Sequence, residues 1–134
     1  LIQSGYIKQT GTKAKKKTKS SPLMFKSPNG YTVLCGRNNI ENDMLRKDAS
    51  GKDLWFHVKN AHGSHVILET RGESVPDEDI VFAASCAAKY SSVSDSPKAA
   101  VDYTFVKHVK KPANSKPGLV NYFEYKTILV SGNI

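Results

Sequence analysis

No aspartate or glutamate occurs in the first 40 residues of this 134-residue chain, where Glu41 is the first acid. The eight basic residues before it (Lys8, Lys13, Lys15, Lys16, Lys17, Lys19, Lys26 and Arg37) account for the whole net charge of +8, because residues 41–134 hold twelve basic and twelve acidic side chains. Cysteine is also scarce. Cys35 and Cys86 lie far apart with no C-x-x-C spacing, which argues against a zinc ribbon or a redox motif, and both are expected to be reduced and partly buried. Long apolar runs are missing, so membrane insertion is excluded. A chain that opens at Leu1 rather than Met is expected to be a fragment of something longer. Its size is that of one domain with an adequate core.

The signatures of catalysis are missing as well. There is no G-x-x-x-x-G-K cradle for phosphate, and the Gly36-Arg37-Asn38-Asn39 turn is not a dinucleotide fingerprint. Ser64 beside His65 is a dipeptide rather than a strand-to-helix elbow, and Cys86 sits in an alanine-rich segment where a structural thiol is the usual reading. A metal centre needs three or four converging ligands, and the four histidines (His57, His62, His65 and His108) have no H-x-x-x-H spacing on a helix. The expectation is a non-catalytic chain with no metal and no cofactor.

What is present is ordered along the chain. "QTGTKAKKKTKSSP", residues 9–22, has no large apolar residue with which to offset its ordering entropy and reads as a linker. Residues 1–22 together are taken as this linker plus the end of an upstream element, and residues 23–134 as the folded domain. "LMFKS" and "YTVLCG" flank Pro28-Asn29-Gly30 and predict a hairpin. In "NNIENDMLRKD", Asn38 is a plausible N-cap with Glu41 three residues on, and Ile40, Met44 and Leu45 are expected to share the apolar face of a short helix. "DLWFHVKNAHGSHVIL", residues 53–68, alternates as two strands; folded about Ala61, it sets His57 opposite His65 and Trp55 opposite Ile67. A second helix opens at Ser74 or Pro76 and is packed with small residues from Ala83 to Ala88. "AAVDYTFVKHV" reads as a long strand, and a basic loop bounded by Pro112, Pro117 and Gly118 precedes a last strand at "YKTILV". The fold class expected is α+β: one mostly antiparallel mixed sheet with two main helices.

Charge placement favours a polyanion. Residues 41–95 carry six basic against ten acidic side chains, and residues 96–134 carry six against two, so basic ends flank an acidic middle. Lys107, His108, Lys110, Lys111 and Lys116 gather cations near stiffened turns and are suited to successive phosphates. Arg37 stands at a helix start, whose free N–H groups favour an anion. Trp55 and Tyr103, if exposed, can stack on unpaired bases, and His57 and His65 can stack or donate to phosphate. Against this, a tryptophan more often packs a core and a lysine run is more often merely solvated.

The blocks "GRNNIEND" (36–43), "DLWFH" (53–57), "GSHVI" (63–67), "VDYTFVKHVKKP" (101–112) and "KPGLV" (116–120), in this order, resemble the NFACT-R domain of the RqcH, NEMF and fibronectin-binding protein A family. The resemblance implies a mixed α+β domain that binds RNA. It implies a parent protein, cytoplasmic and ribosome-associated, that engages tRNA and large-subunit rRNA on stalled large ribosomal subunits and, in bacteria, adds C-terminal alanine tails. Carried over by position, the motif residues are Gly36, Arg37, Asn38, Asn39, Asn42 and Asp43; then Asp53, Trp55 and His57; then Gly63, Ser64 and His65; and the basic set Lys107, His108, Lys110, Lys111, Lys116 and Gly118. His62 departs from the proline common before the Gly-Ser pair. The family's N-terminal domain, helix-hairpin-helix and most of its coiled coil are not in this chain, so tail synthesis is not expected of it. The family's older label offers an alternative, a surface adhesin for fibronectin or fibrinogen.

Overall fold

The computed structural model describes residues 22–113 and 120–131. Pro28-Asn29-Gly30 turns the chain between β1 (Leu23–Lys26) and β2 (Thr32–Cys35), which pair antiparallel from Leu23 opposite Cys35 to Lys26 opposite Thr32. Gly30 takes φ 89°, which a Cβ would disfavour. Next come α1 (Asn39–Asp48), β3 (Leu54–Val58) and β4 (Val66–Leu68). Then α2 (Asp77–Lys89) leads to β5 (Ala99–Phe105), a 3-10 turn (Val106–His108), β6 (Val109–Lys110), β7 (Asn121–Tyr122) and β8 (Lys126–Val130). The long strand expected after Ala99 is thus broken at Val106. The chain turns there and re-enters as β6, which pairs only with β7.

The main sheet runs β1-β2-β4-β3-β5-β8, and every pairing in it is antiparallel. With two helices this is an α+β fold. The hairpin register folded about Ala61 is the one observed: Trp55 faces Ile67 and Phe56 faces Val66.

Alternation along the strands divides the interior into two. Val33, Cys35, Phe56, Val58, Val66, Leu68 and Val101 face α2, whose Ala83, Ala84, Ala87 and Ala88 are fully buried against them. Alanine ends at Cβ, so the helix can lie close on the sheet. Asp79, near the start of α2, does more than complement the helix end: its carboxylate accepts from Asn29 N (2.9 Å) and Nδ2 (2.8 Å), latching the β1–β2 turn to α2. Burial alone would raise its pKa, but hydrogen bonds from Ser27 and Asn29 outweigh that and hold it low. On the opposite face Trp55 and Ile67 pack against Leu45 of α1, Val106 and Val109 in a smaller core. The sheet is therefore covered on both sides.

Of the apolar face expected on α1, Leu45 is buried but Ile40 and Met44 are not. Ile40 is 66% exposed and Met44 44%, while Glu41, Asn42, Asp43 and Leu45 point inward. Each inward polar group has an assigned partner, so their burial is compensated. Asn38 caps the helix as expected, accepting from Glu41 N at 2.9 Å. The reciprocal arm differs from a capping box, because Glu41 Oε1 accepts from Arg37 N at 2.9 Å, one residue before the cap.

Candidate nucleic-acid interface

Two of the sequence blocks meet at the start of α1. Gly36 approaches Asn42 so closely that a Cβ there would fall 2.1 Å from Oδ1, and that same Oδ1 accepts from the His65 backbone N–H at 3.1 Å. Gly63 is equally confined: a Cβ would fall 2.8 Å from Ser91 Cβ. Both glycines allow close backbone approach rather than cradle a ligand. Around them opens a cleft of about 340 Å³, lined by Arg37, Asn38, Asn39, His62, Ser64 and Lys89 among others. Arg37, Asn38 and Asn39 are exposed in it. Arg37 is partly committed: Nε and Nη2 donate to buried Glu41 at 3.3 and 3.1 Å. Lys89 and His62 are both exposed, and both were missing from the sequence-based site. Only the antiparallel bridge of Gly63 to Ser91, which brings the end of α2 to this loop, reveals them.

The ring-bearing residues of the hairpin are placed differently from a stacking platform. Trp55 has no exposed surface, so it presents no face to a base, and His65 is 2% exposed. They brace the hairpin. Trp55 lies parallel to His57 (centroids 5.9 Å apart, 10° between planes), and His65 meets both edge-on at 5.3 Å. His57 alone of the three is partly exposed, on a pocket of about 370 Å³ shared with Asn60 and Tyr122. Burial pushes its pKa below the ordinary histidine value, with backbone hydrogen bonds and Asp102 opposing, which favours a neutral ring at pH 7. The Trp55 indole N–H finds no acceptor among the described residues, an arrangement that costs about 1–3 kcal/mol in a buried site. Tyr103, the other expected stacker, lies on the α2 face against Phe56, with ring centroids 5.3 Å apart.

The motif carboxylates are structural. Asp53 is wholly buried and accepts from Ser50 N and Arg71 N at 3.1 and 2.9 Å. Asp102, 1% exposed, accepts from the Tyr122 and Thr127 hydroxyls at 2.6 Å each and so pins β7 and β8 to β5.

The basic block divides into exposed and ion-paired side chains. Lys107 and Lys110 are exposed, whereas Lys111 Nζ donates to Asp43 of α1 at 2.5 Å, an ion pair that spends its charge internally. Lys116 lies outside the described residues. His108 is half-buried, its Nδ1 3.0 Å from the Thr104 hydroxyl and its Nε2 3.8 Å from Glu124. Arg37 stands at the start of α1, while the Lys107 amide donates to Gly51 O just beyond its end. Sequence reasoning also missed exposed aromatics, Phe105, Phe123 and Tyr125, at 41%, 46% and 44% exposure.

Among the described residues no group of three His, Cys, Asp or Glu side chains is arranged to hold a metal ion, and no helix is long and apolar enough to cross a membrane. Both cysteines are buried and unpaired.

The chain is similar to several known proteins. Rqc2 homolog RqcH of Bacillus subtilis is 38% identical over 136 residues, covering 98% of this chain and 23% of that protein. Rqc2 homolog RqcH of Streptococcus suis is 37% identical over 98% of this chain and 24% of its own length. This chain thus spans about a quarter of these relatives. Coiled-coil domain-containing protein 25 of Bos taurus is 27% identical over 75% of this chain and half of that protein. Among solved structures, the C-terminal part of the fibronectin/fibrinogen-binding protein from Streptococcus suis superposes with a TM-score of 0.81 at 34% identity, covering 86% of this chain and 47% of that one. The sequence pattern of the NFACT protein RNA binding domain matches residues 21–122, and with that span and these relatives the chain belongs to the NFACT-R family.

Proposed function

We propose that this chain is the non-catalytic RNA-binding module of a ribosome quality-control factor, acting in the cytoplasm on stalled large ribosomal subunits, where it engages tRNA and large-subunit rRNA. Residues 1–22 serve as a basic linker to the rest of the longer protein, and the folded module begins at Leu23. In that longer protein the module holds RNA while C-terminal alanine residues are added elsewhere.

The observation that carries this reading is the cleft at the start of α1. There Arg37, Asn38, Asn39, His62 and Lys89, drawn from three separate segments, converge on a polar hollow next to free helix N–H groups. Lys107 and Lys110 add exposed cations to the folded domain outside that cleft. A gel-shift series with labelled tRNA at two ionic strengths tests it. Binding should weaken steeply with salt, and Lys89→Ala or Lys110→Ala should lower affinity and reduce the salt slope by roughly 1 per lost phosphate contact. No retardation of RNA at low salt sinks the proposal. The name of the Streptococcus suis structure keeps a second reading in view, adhesion to fibronectin or fibrinogen at the cell surface. Submicromolar capture on immobilised fibronectin that an RNA competitor does not displace, in a protein that fails to shift tRNA, would favour it.

A further inference from the structure

Phe105 and Phe123 are exposed rings, at 41% and 46%, that belong to neither buried core cluster. Phe105 ends β5, and Phe123 follows β7. The chain is folded so that His108 lies between them. Its ring is 5.9 Å from Phe105, edge-on, and 4.8 Å from Phe123, tilted by 37°. The row is held from below. Thr104 Oγ1 donates to the carbonyls of Phe123 and Glu124 at 3.3 and 3.1 Å and lies 3.0 Å from His108 Nδ1. The Phe123 amide in turn donates to His108 O at 3.3 Å. Two segments far apart in sequence are thus clamped together to present one short aromatic row.

Charge accompanies the rings. Lys107 Nζ stands 5.3 Å from the Phe105 centroid, and Lys126 lines the cleft on which Phe105 opens. Two acids share that cleft, Glu73 and Glu124; Glu124, beside His108, is 73% exposed and can swing into solvent. Exposed aromatic faces edged by lysine suit a ligand that offers flat π-surfaces on an anionic thread. Unpaired nucleic acid has that chemistry, because its bases are open to stacking while its phosphates seek cations. A duplex does not, since its bases are stacked on each other.

We infer that Phe105, His108 and Phe123, with Lys107 at their edge, form a base-stacking row for an unpaired segment of RNA, separate from the cleft at the start of α1. The inference rests on the RNA-binding reading above and adds to it the state of the RNA: single-stranded where it meets this row.

Fluorescence anisotropy on the full chain with labelled oligouridylate, inorganic polyphosphate and a fully paired RNA hairpin stem as parallel ligands provides the test. Phe105→Ala/Phe123→Ala should weaken oligouridylate binding by about tenfold or more, leave polyphosphate binding and the salt slope unchanged, and Phe123→Trp should retain binding. Phe123→Ala alone, at an exposed position, carries the test at about threefold or more if the double variant melts early. If the variants fold and bind oligouridylate like the parent chain while tRNA still shifts, the row is not a stacking site and the RNA reading stands. If oligouridylate and polyphosphate lose affinity together, charge rather than stacking is at work and the inference fails. Absence of any RNA binding at low salt removes both.

Discussion

Single side chains here owe their identity to closeness and burial more than to a ligand. Gly36 is the clearest instance, since any Cβ collides with Asn42, whose amide oxygen is already committed to His65 N–H. Gly36→Ala should lower stability by about 1–3 kcal/mol, read as a reduced melting temperature. The two thiols should be inert for a related reason. Burial raises the pKa of Cys35 and pushes that of Cys86 up to about 12, so neither supplies thiolate at pH 8. Iodoacetamide should label the denatured chain and leave the native one unmodified; rapid native labelling would contradict this. His57 links burial to pH. Its folded pKa is below the ordinary value near 6.5, so between the two the unfolded chain binds more protons. Stability is therefore fully present above about pH 6.5 and falls as pH drops toward the folded pKa. Melting temperature should decline from pH 7.5 to 5.5, and His57→Phe should shrink that decline; an unchanged decline in the variant would assign the effect elsewhere.

At the scale of elements, α1 separates what a pattern can and cannot reveal. Its start, cap and length were legible from Asn38 and the residues after it, because capping chemistry is local. Its buried face was not, because periodicity assumes that apolar side chains go inward. Here Glu41, Asn42 and Asp43 turn in, satisfied by Arg37, the His65 amide and Lys111, groups that the sequence scatters across 75 positions. The β3–β4 register was legible, since turn placement and alternation both centred on Ala61. Burial of Trp55 was not, since it depends on β6 and β7 folding back over the second face. For the site, Arg37, Asn38 and Asn39 were readable as a helix start, while Lys89 and the Phe105–Phe123 row become neighbours only in three dimensions. The inverted helix makes a sharp prediction. Leu45→Ala, at 6% exposure, should cost about 2–4 kcal/mol, whereas Ile40→Lys, at 66% exposure, should stay within about 0.5 kcal/mol, both by urea unfolding. Equal losses would restore the conventional face.

For the whole molecule the decisive feature is where the excess charge resides. Residues 1–21 hold six of the 20 basic side chains and none of the 12 acidic ones, so residues 22–134 carry fourteen basic against twelve acidic. Residues 22–134 are thus nearly neutral, and several charges among the described ones are paired internally, as in Lys111 with Asp43, Arg37 with Glu41 and Arg71 with Asp53. On the RNA-binding reading proposed above, such a body has to recognise by placed groups, with the lysine-rich segment supplying range. The two contributions separate under salt, because counterion release scales with the number of phosphates neutralised and stacking does not. Deleting residues 1–21 should therefore flatten the log–log salt dependence of tRNA binding by up to about 4, at roughly 0.7 per phosphate contact. It should leave unaltered the preference for oligouridylate over a paired stem. If the deletion abolishes that preference along with the slope, recognition lies in the lysine segment and the folded body is a passive carrier.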